Sequence, residues 1–296
     1  MPQILTLVAN RAATALTAAA IARVRDAVAG SEPIILSPGE AADIPLPAPP
    51  DMVAIRAALD GAPIDAIATT TADRRKRLLV ADMDSTIVTG ETLDELADFA
   101  GLKPRIAAIT ARAMNGELDF KAALRERVAM LRNLPVDALT RTWERVRLTP
   151  GARELVATMR AHGAHAALVS GGFSFFTSRV AALCGFDLHR SNELLDDGAV
   201  LTGLVAEPIL DRDAKLALLI RLAAEHALPM RATLAVGDGA NDLDMLRAAG
   251  LGVAFHAKPV VAAAAQARVD HADLRALLFA QGYRAAEFVG TDDGTA

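Results

Sequence analysis

The sequence predicts an α/β fold built on a doubly wound parallel sheet, and three observations predict it. From residue 78 onward, short apolar runs alternate with stretches of helical periodicity, the pattern of strand–helix–strand units. Runs such as 78–81 and 251–255 are apolar throughout rather than alternating, as strands covered on both faces are. Several of the runs end in polar or glycine-bearing turns, and the carboxyl ends of parallel strands are where such sheets place their chemistry.

Composition narrows the class of protein. The 296 residues suggest about two domains. With 52% hydrophobic, 23% charged and only 4% aromatic residues, the chain suits a soluble protein with a large aliphatic core. A net charge of −5 argues against nucleic acid as the main partner. The basic run Arg74-Arg75-Lys76-Arg77 reads as the solvated edge of a linker. The single cysteine, Cys184, forms no intrachain disulfide and lies among apolar neighbours, so it reads as a buried thiol of a cytoplasmic protein. No signal-peptide pattern and no membrane-spanning apolar run is expected. The six histidines form no metal-ligand motif.

In chain order, 4–9 reads as a strand, 12–28 as an alanine-rich helix and 33–36 as a second strand. Residues 41–50 read as a proline-rich connection, 52–59 as a short helix and 64–69 as a third strand. This small α/β module, 1–71, carries no cluster of catalytic residue types. Residues 72–290 form the second domain. Its first strand, 78–81, ends in Asp82-Met-Asp84. A nearly all-helical insertion then occupies about 92–147, with helices at 93–100, 105–114, 120–131 and 136–146 and a boundary at Asn115-Gly116. An insertion at that place overhangs the strand end like a lid. Arg125 within it reads as a surface residue. A helix at 150–162, a strand at 164–169, the turn Ser170-Gly171-Gly172 and a helix at 173–183 follow. Residues 191–207 alternate around Asp196-Asp197-Gly198, a hairpin pattern. A helix at 212–226 carries Lys215, a strand at 233–236 leads into Gly237-Asp238-Gly239-Ala240-Asn241-Asp242, and a helix covers 243–249. A strand at 251–255 and helices at 260–265 and 273–280 complete the chain, before a disordered tail at 291–296.

The strand ends combine into one chemistry. Residues two apart in an extended chain face the same side, so Asp82 and Asp84 present two carboxyl groups together. Two like charges so close need a cation, a shared proton or an anion-handling role. Asp82, Asp238 and Asp242 offer hard oxygens for Mg²⁺. Lys215 offers a point charge for a phosphoryl group, and Ser170 with nearby backbone N–H groups offers hydrogen bonds. Asp82 then has the position of a nucleophile on phosphorus, and Asp84 that of a general acid and base.

This order of motifs resembles the phosphoserine phosphatases of the haloacid dehalogenase (HAD) superfamily. The resemblance rests on Asp82-Met-Asp84-Ser-Thr, Glu91, 120–131 with Arg127, Ser170-Gly171-Gly172-Phe173, Lys215 and 237–242, and covers about 78–279. It implies a Rossmann-like core with a helical cap, Mg²⁺ dependence and hydrolysis of O-phosphoserine through an aspartyl phosphate, the last step of serine biosynthesis. It implies Asp82 as nucleophile and Asp84 as acid and base. Asp82, Asp84 through its backbone carbonyl, and Asp238 would hold the metal, supported by Asp242. Ser170, Gly171 and Lys215 would bind phosphate with Asn241 beside it, and Glu91 and Arg127 would hold the substrate's amino and carboxylate groups. Residues 1–71 resemble the amino-acid-sensing (ACT-like) extension of bacterial members, and a homodimer through this module is a further expectation. The competing readings are another small-phosphomonoester phosphatase or phosphotransferase on the same core, and an inert regulatory or binding protein.

Overall fold

The structure is a computed structural model that describes residues 3–114 and 118–290. The expected boundary at Asn115-Gly116 and the expected tail at 291–296 lie outside the described residues.

The chain begins with β1 (Gln3–Ala9), α1 (Ala18–Ala27), β2 (Ile34–Ser37), β3 (Ala41–Leu46), α2 (Met52–Leu59) and β4 (Ile64–Thr70). The strands form one antiparallel sheet in the order β2-β3-β1-β4. Helix α1 starts six residues later than the apolar pattern suggests. The Asn10 side chain accepts the Ala12 N–H at 3.0 Å and its carbonyl accepts those of Ala13 and Thr14, closing a turn that delays the helix to the cap at Thr17. The larger correction is β3, expected as a connection because of its prolines. It is an inner strand, and Pro45 is tolerated because its own carbonyl accepts the Ser31 N–H. The amide nitrogen of a strand residue faces the same neighbour as its carbonyl. Its missing N–H therefore points past the start of β2 and costs the β1 ladder nothing.

The second sheet holds six parallel strands in the order β12-β11-β10-β5-β6-β7. These are β5 (Leu78–Asp82), β6 (His165–Phe173), β7 (Leu188–Asn192), β10 (Thr233–Gly237), β11 (Leu251–Phe255) and β12 (Ala267–Val269), while β8 (Leu194–Asp196) and β9 (Leu201–Val205) form a separate hairpin. Strands β7 and β12 escape sequence reading because they are the edges: Leu-His-Arg-Ser-Asn is mostly polar, and Ala-Arg-Val is three residues long. Between β5 and β6 come α3 (Thr92–Phe99), α4 (Lys103–Met114), α5 (Phe120–Ala129), α6 (Asp137–Trp143) and α7 (Ala152–Ala161); later come α8 (Ser174–Cys184), α9 (Arg212–Glu225), α10 (Leu243–Ala248), α11 (Pro259–Ala264) and α12 (Ala276–Ala280). The chain winds outward from β5 through β6 to β7, then returns to β10 on β5's other side. That reversal opens a crevice at the carboxyl ends of β5, β6 and β10. The hairpin braces the inserted helices rather than the sheet: the Asn133 and Val136 N–H groups donate to Leu201 and Ala199 carbonyls, and the Leu201 N–H returns to Leu134.

The two sheets meet along a seam rich in charge. Arg74, expected on a solvated linker, instead forks onto Asp43 with two bonds of 2.7 Å and donates to Thr6 and the Ala280 carbonyl. Lys76 of the same run is 7% exposed. Asp65 of β4 accepts the backbone N–H groups of Asp270, His271 and Ala272 at 2.8, 3.0 and 2.7 Å. Arg275 gives Glu40 two bonds of 2.8 Å and reaches Glu154 at 3.3 Å, and all three side chains are buried. Removing one partner from a buried ion cluster strands the remaining charge. Arg275→Ala is therefore expected to cost about 3–5 kcal/mol of stability, read from urea unfolding. Adding Glu40→Gln to it should restore much of the loss, and strictly additive losses would refute the coupling.

Candidate active site

The crevice is built from its strand inward. Leu78 to Ala81 are fully buried, which fixes the register that brings Asp82 to the strand end. Asp82 Oδ1 accepts the Met83 N–H and pairs with Lys215 Nζ, each at 2.8 Å. Lys215 reaches it because α9 packs Leu218, Leu219 and Leu222 on Leu78, Val80 and Ala235, which carries the side chain one turn earlier to the strand ends. Lys215 also donates to Asp242 Oδ1 at 2.7 Å, and Asp242 Oδ2 accepts the Gly239 N–H at 3.0 Å. A β-carbon on Gly237 would lie 2.4 Å from Asp242 Cγ, so this turn requires glycine there.

Asp84 follows on a single irregular turn, Met83–Ile87, in which Ser85 takes φ 54°. Its Oδ1 accepts the Thr92 N–H at 2.8 Å and its Oδ2 accepts the Ser170 hydroxyl at 3.1 Å. Ser170 Oγ in turn accepts the Gly172 N–H at 2.8 Å. Ser170, expected to face phosphate, is thus tied to Asp84 in this structure. Burial, then the neighbouring Glu91, raises the Asp84 carboxyl to about 6. Burial and Asp242 push Asp238 up to about 7. Burial and Asp242 also raise Asp82, against the pull of Lys215. Burial opposes the Lys215 charge, but Asp242 and Asp82 outweigh it and hold the ammonium protonated.

Asp82, Asp238 and Asp242 offer ligand atoms within 4.8 Å of one another. Against these three carboxylates stands one buried ammonium, which leaves a surplus of negative charge. A donor set of hard oxygens with excess negative charge fits a divalent cation of the Mg²⁺ kind.

The inserted helices close the crevice from above. Glu91, at the start of α3, accepts the Ser85 hydroxyl at 2.7 Å. Arg127 of α5 donates to the Ala123 carbonyl at 3.2 Å and to Thr110 at 3.3 Å. Phe120 lies over Gly171, where a β-carbon would come within 3.1 Å of its ring. Asp82, Asp84, Glu91, Arg127, Ser170, Gly171, Asp238 and Asn241 line one cavity of about 310 Å³. Lys215 and Asp242 sit behind its wall, 1% and 0% exposed. The structure brings together the candidate site residues named from the sequence. It adds Phe120, Thr110, Arg212 and Lys258 to the lining. Lys258 had one legible sign, its place three residues beyond the end of β11. Arg125 is as expected a surface residue, paired with Glu207 at 2.6 Å.

The haloacid dehalogenase-like hydrolase profile matches residues 79–247. The chain belongs to that family. The phosphoserine phosphatase SerB2 of Mycobacterium tuberculosis is 45% identical over 221 residues, 75% of this chain and 54% of that protein. The phosphoserine phosphatase of Streptococcus thermophilus is 44% identical over 199 residues, 67% of this chain and 93% of that one. The crystal structure of a probable phosphoserine phosphatase from Vibrio cholerae, unliganded form, superposes with a TM-score of 0.78 at 34% identity, covering 97% of this chain and 88% of that one. The chain spans between 54% and 60% of the length of the first curated relatives it matches. The parallel sheet with inserted helices is thus the HAD hydrolase core. Among the described residues, no helix is long and apolar enough to cross a membrane.

Proposed function

We propose that this HAD hydrolase is a Mg²⁺-dependent phosphoserine phosphatase, acting at the last step of serine synthesis. The observation that carries the reading is the contrast between two carboxyl groups in one cavity. Asp82 is held by the Lys215 ammonium and the Met83 N–H, while Asp84 is held by the Thr92 N–H and the Ser170 hydroxyl. Burial raises both carboxyls, so it is these partners that separate a nucleophile from an acid and base. Asp82 is held through Oδ1, which leaves Oδ2 to attack phosphorus and form an aspartyl phosphate as the phosphorus–oxygen bond to serine breaks. Asp84 gives its proton to the departing serine oxygen. It then takes a proton from the water that attacks the acyl phosphate, releasing phosphate and restoring Asp82. Asp82, Asp238 and the Asp84 carbonyl, supported by Asp242, would hold the cation. When bound, it neutralises charge between the nucleophile and the phosphoryl oxygens. Glu91 and Arg127, on the cap wall, suit the ammonium and carboxylate of phosphoserine.

Phosphate release from a panel of phosphomonoesters, with Mg²⁺ and with EDTA, tests the reading. Phosphoserine should lead the panel and EDTA should silence it; full activity in excess EDTA would remove the metal from the scheme.

The raised carboxyls add a pH prediction. Their folded values, about 6 for Asp84 and about 7 for Asp238, lie above the ordinary aspartate value of about 3.9. The metal-free folded chain therefore binds more protons than the unfolded chain through that window, and these groups make stability fall as pH rises from about 4 to 7. A cation binds the deprotonated form and releases protons. Thermal melting at pH 6 and pH 8 should show a larger Mg²⁺-induced rise in Tm at pH 8. Equal rises would show that the carboxyls are already ionised at pH 6.

A further inference from the structure

An arginine that is to take the substrate carboxylate must first be kept from the protein's own. Arg127 is half-buried on α5, and the charges of Asp94 and Glu91 both act on its guanidinium. Glu91 stands at the start of α3 and Asp94 in its first turn. A long side chain that settled on either would cancel the charge the substrate needs. On Glu91 it would also occupy the partner of the substrate's ammonium. It settles on neither: among the described residues its hydrogen bonds go to the Ala123 carbonyl at 3.2 Å and the Thr110 hydroxyl at 3.3 Å.

Thr110 is the partner that comes from another helix. Its own proton is committed, because Oγ1 donates to the Ile106 carbonyl at 3.1 Å, one turn earlier on α4. That bond selects the threonine rotamer and leaves the hydroxyl only lone pairs to offer. Toward Arg127 it is therefore a fixed acceptor. Ala123 holds Nε from Arg127's own helix, and Thr110 holds Nη1 from across the α4–α5 contact. A guanidinium has five N–H donors, and these two bonds use two of them. The remaining three are on Nη1 and Nη2, the end of the fork that can take a carboxylate. Thr110 lines the same cavity as Arg127 and Glu91, so the bond sits at the cavity wall and not inside the helix packing.

We infer that Thr110 is a positioning residue for substrate choice, which holds the Arg127 fork toward the cavity and off the protein's own carboxylates. The inference rests on the reading of Arg127 as the carboxylate partner of phosphoserine. A loose arginine gives up rotamer freedom when it binds, whereas a pinned one has given it up beforehand. The carboxylate contact is made in the ground state and the transition state alike, so loosening it should raise KM and leave kcat nearly alone.

The experiment is steady-state kinetics of the full chain with Mg²⁺ on phosphoserine and phosphoethanolamine, for wild type, Thr110→Val and Thr110→Ser, each also in an Arg127→Ala background. Valine keeps the shape and a similar helix propensity but cannot accept a hydrogen bond, and serine keeps the hydroxyl. Thr110→Val should lower the kcat/KM ratio of phosphoserine to phosphoethanolamine about three- to tenfold, through the KM of phosphoserine. Thr110→Ser should keep the wild-type ratio. In the Arg127→Ala background Thr110→Val should lower the ratio no further. A loss equal for both substrates, or equal in the valine and serine variants, overturns the inference and makes Thr110 a brace for α4. A Thr110→Val effect that persists undiminished without Arg127 overturns it too. A wild type with no preference for phosphoserine brings down the substrate reading and the inference with it. A wild-type preference that survives Thr110→Val intact brings down the inference alone.

Discussion

Asp82→Asn is expected to abolish phosphoserine turnover, by a factor on the order of 10⁵–10⁶, and to leave the fold intact. The amide is no nucleophile, and it takes a negative charge from the carboxylate cluster. Its carbonyl can still accept from Lys215 and from the Met83 N–H, the two bonds that orient Asp82. The like charge of Asp242 is among the causes that raise the Asp82 carboxyl, so neutralising position 82 relieves repulsion in the metal-free state. Melting of the metal-free variant should accordingly occur no lower than in wild type. Phosphate release and thermal unfolding together check this; near wild-type turnover would end the covalent route through Asp82. The companion Asp84→Asn removes proton transfer, worth about 10²–10⁴-fold. Its loss should be greater for phosphoserine than for p-nitrophenyl phosphate, whose leaving group needs no proton.

Arg127→Ala is expected to separate substrates that differ only in a carboxylate. Arg127 enters the cavity from α5, half-buried, and burial lowers its pKa while Asp94 and Glu91 counter the shift. In such a site, losing one partner of a charged pair costs about 2–5 kcal/mol. That converts to about 30- to 4,000-fold in kcat/KM for phosphoserine. Phosphoethanolamine keeps the amine and phosphate but lacks the carboxylate, so its kcat/KM should change little. The rival role is structural, because Arg127 ties α5 to Thr110 of α4. A uniform loss across both substrates would assign it that role instead.

What the sequence reveals here follows how strongly each residue's role is local. Asp82, Ser170 and Asp238 are legible because an apolar run stops and a polar turn starts, and the parallel sheet brings such stops together. Strands β7 and β12 are less legible, since an edge strand needs neither length nor continuous apolar character. Pro45 hides β3, because its tolerance depends on which neighbour its nitrogen faces. The role of Arg74 is non-local. A basic run looks solvated until Asp43 and Thr6 arrive from another sheet to enclose it. The same is true of Ser170: Ser170-Gly171-Gly172 reads as an anion-handling turn, yet it continues β6 as far as Phe173, and its bond to Asp84 depends on two strands lying side by side.

The seam between the sheets has a consequence for how the chain is made. Glu40 meets Arg275 across 235 positions, and Asp65 meets the backbone of Asp270 to Ala272 across 205 to 207. At about 5–20 residues per second on the ribosome, the first module waits on the order of 10–50 s before the residues that neutralise its acidic face are synthesised. Asp43 waits far less, since Arg74 is 31 residues away. The emerging module can therefore form its own sheet early and carry one arginine clasp, while Glu40 and Asp65 stay hydrated. Completion of β12 and α12 then acts as a lock: Arg275 and the turn at 270–272 bind an early-made part of the protein to one made much later.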